Sequence, residues 1–249
     1  MHPKINFSFI YFLVSLTVIL NFTELNAQSV NCQILYQNLP PIRKLPQIDL
    51  SKIYTSLAKQ NLLLSQRSRD LSDLNSWREG GLCGPTCVAN IHSAIQVGTQ
   101  YKTQVEAVTS SSDTLRNVVK SIDRTYGGNA AGGTSFPQLQ FALDNLFKHT
   151  EIYELVEVSK IDPKSKDWVN STGVLHLVGV QNGKNQGHAI IVVRVIKKGN
   201  KLEAIISDPE RPNILVSEKL IWNEVTKSYS FSRYGNLIEI AQVKASSDL

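Results

Sequence analysis

The sequence predicts an α+β domain whose helices come first and whose strands come second. Three observations carry this reading. Apolar residues recur at helical spacing ahead of Thr150, and beyond it aliphatic and β-branched residues gather in short runs separated by turns. Within the first half, glycine-rich joints such as Gly80-Gly81, Gly127-Gly128 and Gly132-Gly133 separate the helical stretches. With 42% hydrophobic residues in 249 positions, there is ample material for a core.

The chain opens on a segment that reads as a secretory signal over residues 1–27. Lys4 supplies the positive end, an apolar stretch runs from Phe9 to Leu20, and Leu25-Asn26-Ala27 offers a small residue at the cleavage point. This predicts export, to the periplasm or the medium, with no stable membrane span once the signal is removed. The rival reading, an uncleaved anchor over Ile5 to Phe22, is weakened by the polar residues Asn6, Ser8, Ser15, Thr17 and Asn21. An N-terminal extension with one helix follows over 28–75. Pro40, Pro41 and Pro46 disfavour helix in its first part, whereas Asp49 or Ser51 can cap a helix running through Ile53, Leu57 and Leu62 toward Leu71. Its apolar stripe is accounted for by packing, with a propeptide over a cleft as the alternative.

The remaining residues, 76–249, are read as one domain. Pro85 suits the first turn of a helix that continues through Cys87, Val88, Ile91, Ala94 and Ile95. The stretch Gly98 to Asp113 is expected to be loop or helix boundary. Leu115, Val118, Val119 and Ile122 mark a helix ended by Gly127-Gly128, and Ser135 caps another that carries Pro137, Leu139, Ala142, Leu146 and Phe147. Strands are expected at Ile152–Val158, Val174–Val180, Ala189–Ile196, Leu202–Ile206, Ile214–Val216 and Leu237–Val243.

Chemistry concentrates in two places. Cys83 falls at the start of the first domain helix, where unpaired backbone N–H groups and the helix dipole stabilise a thiolate and can also hold an oxyanion. Far downstream, Gly187-His188 begins a strand, and Lys198-Gly199-Asn200-Lys201 turns it back into a second strand ending at Asp208-Pro209. Such a hairpin brings His188 and Asp208 together, a base beside its orienting carboxylate. His92 is nine positions along the same helix as Cys83, about 13 Å away at 1.5 Å per residue, too far for proton transfer. His176 in mid-strand and His149 after a helix read as structural. Cys87 reads as a small core residue, with a bridge to Cys32 as the alternative.

Cys83-Gly84-Pro85-Thr86-Cys87, Gly187-His188 and Asp208-Pro209, in that order, resemble the C39-like branch of the papain-like cysteine peptidases. Gly133 to Leu139 is also similar to a helix start in that family, so the likeness spans roughly Gly80 to Pro209. The resemblance implies a papain-like fold, its helical half carrying the nucleophile and its antiparallel sheet half carrying the histidine and aspartate. It implies thiol peptidase activity through a thioester, with Cys83 as nucleophile, His188 as base and Asp208 as its partner. The family's glutamine about six residues before the cysteine is replaced here by Trp77. Asn75 is the candidate oxyanion donor in its place, and Gln66 is the alternative further upstream.

The partner expected on this reading is a peptide or protein substrate. A net charge of +5 with lysines and arginines dispersed along the chain argues against nucleic acid. No metal is expected, because Cys83, Cys87 and His92 lack a fourth ligand, and the glycine pairs lack the lysine and acidic context of phosphate loops, so no cofactor is expected. Two other functions use the same residues: an acyltransferase or transglutaminase-like enzyme in which an amine replaces water, and a catalytically silent peptide-binding module.

Overall fold

A computed structural model describes residues 46–78, 81–100, 102–126, 134–148, 155–182 and 187–246, except the side chains of Asn75 and Arg78. The segment read as a signal, Cys32 and His149 lie outside the described residues. Residues 45–249 form one compact unit.

Helix α1 (Leu50–Lys59) begins where the Asp49 carboxylate accepts the Lys52 N–H at 3.0 Å. It stops well short of Leu71. Asn61 takes φ of 57°, and the N–H groups of Asn61 and Leu62 turn back onto the carbonyls of Ala58 and Leu57. Leu62 to Leu64 are therefore loop, followed by a 3-10 segment, Arg69–Leu74, and a single turn, α2 (Asn75–Arg78). The stripe on α1 is explained by burial: Leu50, Tyr54, Leu57 and Ala58 are enclosed in the core, and the Tyr54 hydroxyl meets Ser207 Oγ at 3.0 Å.

The central helix, α3 (Cys83–Gly98), is buried along most of its length. A Cβ on Gly84 would stand 2.6 Å from Leu139 Cδ2, so the absence of a side chain lets α6 (Phe136–Lys148) pack directly over the first turn of α3. Thr134 Oγ1 donates to Gly81 O at 2.8 Å and ties the two helix starts together. At the head of α6, the Gln138 side chain accepts the Ser135 N–H. Between them lie α4 (Gln104–Thr109) and α5 (Ser111–Tyr126). The first of these replaces the loop expected after Gly98. Its start is a reciprocal capping box between Thr103 and Glu106, a signal hidden by the surrounding polar residues.

Seven antiparallel strands follow: β1 (Val156–Ile161), β2 (Leu175–Gln181), β3 (Gly187–Lys198), β4 (Lys201–Ser207), β5 (Val216–Asn223), β6 (Ser228–Phe231) and β7 (Gly235–Ala245), in the order β1-β7-β2-β3-β4-β5-β6. An additional β6–β7 pairing closes the last six into a barrel. One core fills that barrel around Val178, Ile190, Ile206, Phe231 and Ile240. The other lies between the helices and the outer face of the sheet, where Leu177, Ile191, Val193 and Ala241 meet α1, α3 and α6. The observed architecture is thus α+β, with helices ahead of an antiparallel sheet.

Sequence periodicity misplaced β5 and missed β6. The inward row of β5 contains Glu218, which is 6% exposed and accepts from Ser232 Oγ at 2.8 Å and Arg233 at 3.3 Å. A buried carboxylate with partners reads, in sequence, as a break in the apolar pattern.

A brace runs from α3 to the loop after β4. Asn90, 1% exposed, accepts the Leu64 N–H at 2.8 Å and donates to the Leu64 carbonyl at 2.9 Å. The same loop bonds the far side: Leu63 exchanges hydrogen bonds with Asn213, Ser65 donates to Glu210 O, and Gln66 N–H donates to Pro209 O. Replacing Asn90 with alanine leaves both Leu64 backbone groups buried without partners. The expected loss is about 2–4 kcal/mol, or a melting point lowered by roughly 5–15 °C for a domain of this size, read by thermal denaturation.

Candidate active site

Cys83 is the first residue of α3, ahead of the first intrahelical bond from Thr86 N–H to Leu82 O. Leu82, the cap, contributes no side-chain hydrogen bond, so the first-turn N–H groups remain directed at whatever occupies the helix end. His188 comes from the second residue of β3, and Asp208 directly follows β4. Gly199, with φ of 60°, makes the tight turn between these strands, and Lys198 pairs with Lys201. One register shift between Val192 and Arg194 then brings the start of β3 beside the end of β4.

The three side chains meet. His188 Nε2 lies 3.2 Å from Asp208 Oδ1, and the imidazole also bonds to the Cys83 thiol. Since Asp208 occupies Nε2, the nitrogen left for sulfur is Nδ1. Asp208 Oδ1 additionally accepts the Glu210 N–H at 2.9 Å, which fixes the carboxylate on its own turn.

Electrostatics follow from these contacts. Burial pushes the Cys83 thiol up, but bonding and charge from His188, with the N–H groups of Ala189 and Gly84, outweigh it and hold the thiol below its ordinary value. Burial likewise opposes charge on His188, yet its bonds to Asp208 and Cys83 prevail and its pKa is pushed up to about 10. For Asp208, burial raises the carboxyl while His188 and the Glu210 N–H overcome it, leaving the group below the usual carboxylate range. These shifts all favour the ion-pair form of the site, thiolate beside imidazolium with a carboxylate behind it. That is an activated nucleophile and a proton donor in one contact.

Tyr234 completes the arrangement and was not expected from sequence. Its ring stacks on His188, centroids 6.2 Å apart and 16° from parallel, and its hydroxyl donates to Asp208. Burial and the neighbouring Asp208 push the phenol pKa upward, so it stays a donor. Tyr234 is 46 residues from His188 in sequence and reaches it only because β6 closes onto β7. No local pattern announces such a contact.

The other residues singled out in the sequence lie elsewhere. Trp77 is buried in the helical core. The side chain of Asn75 lies outside the described residues. Gln66 bonds to Pro209 and Glu210, with Nε2 3.5 Å from Glu210 Oε1, and it does not line the cleft at Cys83. Cys87, like Cys83, is a free thiol, and it donates to Ala189 O at 3.6 Å within the core. His176 is buried against Trp168 and Gln242, and burial lowers its pKa to about 4. His92 is buried with Phe147 beside it and is likewise lowered to about 4 by burial.

The thiol, imidazole and carboxylate open onto a cleft of about 320 Å³ between the start of α6 and the ends of β2, β3 and β7. Helix and sheet thus each contribute one reacting group to a common groove. No family model and no curated protein matches the chain. Among solved structures, one that is similar is the crystal structure of the Pseudomonas avirulence protein AvrPphB, at 11% identity and a TM-score of 0.30, covering 74% of this chain and 98% of that one. A likeness that loose carries no weight, and the chemistry rests on the residues themselves.

Proposed function

We propose that the chain is a thiol peptidase of papain-like architecture, of the C39-like branch, that hydrolyses peptide bonds through a thioester. The single observation that carries this is the Cys83–His188–Asp208 contact set at the mouth of a cleft. Cys83 Sγ attacks the substrate carbonyl carbon, and the oxyanion that forms is met by the N–H groups at the head of α3. His188 passes its Nδ1 proton to the leaving amine, the C–N bond breaks, and the acyl group remains on sulfur. Water then enters, loses a proton to His188, and attacks the thioester carbon; the C–S bond breaks, which returns the thiolate beside the imidazolium and releases the carboxylic acid. Asp208 keeps Nε2–H engaged throughout, and Tyr234 holds Asp208. Both are positioning residues. Residues 1–27 support export as the setting for this activity.

The test is cleavage of a mixed peptide library by the mature chain and by Cys83→Ala, with new termini identified by mass spectrometry. Cleavage by the first and none by the second is the expected result. Cleavage that persists in Cys83→Ala overturns the assignment, and transfer of the acyl group to an added amine in preference to water reassigns the enzyme as an acyltransferase.

A further inference from the structure

The floor of the cleft is a row of three residues on adjacent strands. Ala189, Gly179 and Glu239 pair directly across β3, β2 and β7. They therefore share one face of the sheet, the face from which Leu177, Ile191 and Ala241 pack against the helices. The Ala189 N–H bonds to the Cys83 sulfur. At about 4.8 Å per strand, the Glu239 backbone lies about 10 Å from that of Ala189.

Two features leave this floor open as far as Glu239. Gly179 has no side chain between the two, and a Cβ there would stand 3.4 Å from Ile238 Cγ1 and 3.6 Å from Glu239 Cβ. The register of β2 with β7 also shifts, because Gly179 opposes Glu239 while Val180 opposes Leu237. Ile238 is the extra residue, and such a bulge re-aims side chains locally; both Ile238 and Glu239 line the cleft. The facing wall, from α6, is apolar at Phe136 and Leu139. Among the described residues lining the cleft, Glu239 is the sole acid. It is half-buried, and no cation forms an ion pair with it among the described residues. Burial pushes its carboxyl up against the weaker pull of Lys160. A partly desolvated carboxylate with no ion pair among the described residues, beside apolar walls, suits a side chain with a long aliphatic stem and a cationic end.

We propose that this part of the cleft is a subsite for a substrate lysine or arginine, held by Glu239, one or two residues from the carbonyl that Cys83 attacks. The proposal rests on the peptidase reading.

The experiment compares peptidyl acyloxymethyl ketones that differ only in carrying lysine, norleucine or glutamate at the two positions before the reactive group. The rate of Cys83 alkylation is read by mass spectrometry on the full chain, with iodoacetamide as the reagent that makes no subsite contact. Lysine is expected to outpace norleucine by about tenfold, the scale of one charge-assisted contact. In Glu239→Gln the ratio should fall to about one, and in Glu239→Lys the glutamate probe should become the fastest. Equal rates for the three probes in the wild type, or a lysine preference that survives in Glu239→Gln, overturn the subsite while leaving the thiol peptidase intact. Alkylation by every peptidyl probe no faster than by iodoacetamide overturns both.

Discussion

In His188→Ala, the pH midpoint for alkylation of Cys83 should move from below the ordinary thiol range to above about 8.5. The sign follows from what remains. Burial is the largest influence on Cys83 and it opposes the thiolate; the groups that outweigh it are led by the imidazolium. Without the imidazole, desolvation is left with only two backbone N–H groups against it. Near pH 6, an ordinary thiol is ionised in only about one molecule in three hundred. The midpoint is the decisive quantity because a low-pKa thiolate is also intrinsically less nucleophilic, so the absolute rate blends two opposing trends. Turnover adds a second signature. Because His188 must donate a proton to the leaving amine, hydrolysis in the wild type should fail as pH rises through about 10, where that proton is lost, although the thiolate persists. Loss of this proton donor in His188→Ala should lower turnover by roughly 10²–10⁴. A midpoint that stays in place in His188→Ala would show that the ion pair does not activate the thiol.

Gly235→Ala is expected to cost about 3 kcal/mol or more, a fall in melting temperature of roughly 6–12 °C. Gly235 has φ of 82°, and a Cβ there would stand 2.4 Å from Gln181 O and 3.0 Å from Asn182 Cα. Those are backbone atoms of the neighbouring strand and its exit, so no side-chain rotation relieves the contact. The effect should reach the site as well. Gly235 follows Tyr234 directly and opens β7, so a shift of this turn withdraws the ring from His188 and the hydroxyl from Asp208. Thermal denaturation measures the first effect, and the pH profile of Cys83 alkylation measures the second. An unchanged melting point in Gly235→Ala would show that the turn has another accessible conformation.

The contrast between what was and was not legible in the sequence is one of range. Cys83 at a helix start is written in Gly81 to Thr86 itself. His188 and Asp208 were also readable, because a hairpin with a two-residue turn at Gly199-Asn200 makes a contact 20 residues apart nearly local. The helix periods at Leu115–Ile122 and Leu139–Phe147 correspond to α5 and α6. Failures came where a single residue overrides a pattern, as Asn61 does by ending α1, or where polarity is deceptive, as at Glu218 inside the barrel. Tyr234 and Glu239 depend on how distant strands close and bulge. Their place in the cleft is a property of register, which an individual sequence segment does not carry.

The backbone of Ala189 limits how the two halves can move. Its N–H points to one sulfur of α3 and its C=O accepts from the sulfur one turn later. This residue is also joined by a covalent bond to His188. The spacing between nucleophile and base is consequently gauged by two successive amides, one held through its N–H and the next through its C=O to the same helix, and a sliding or hinging of helix against sheet would have to break both contacts before it could widen that gap. The head of α6 above the groove is tied to Gly81 only through the Thr134 hydroxyl, a bond that a side-chain rotation releases, so opening for substrate is left to that wall. The reacting pair then behaves as the stationary jaw of the cleft, set before substrate arrives.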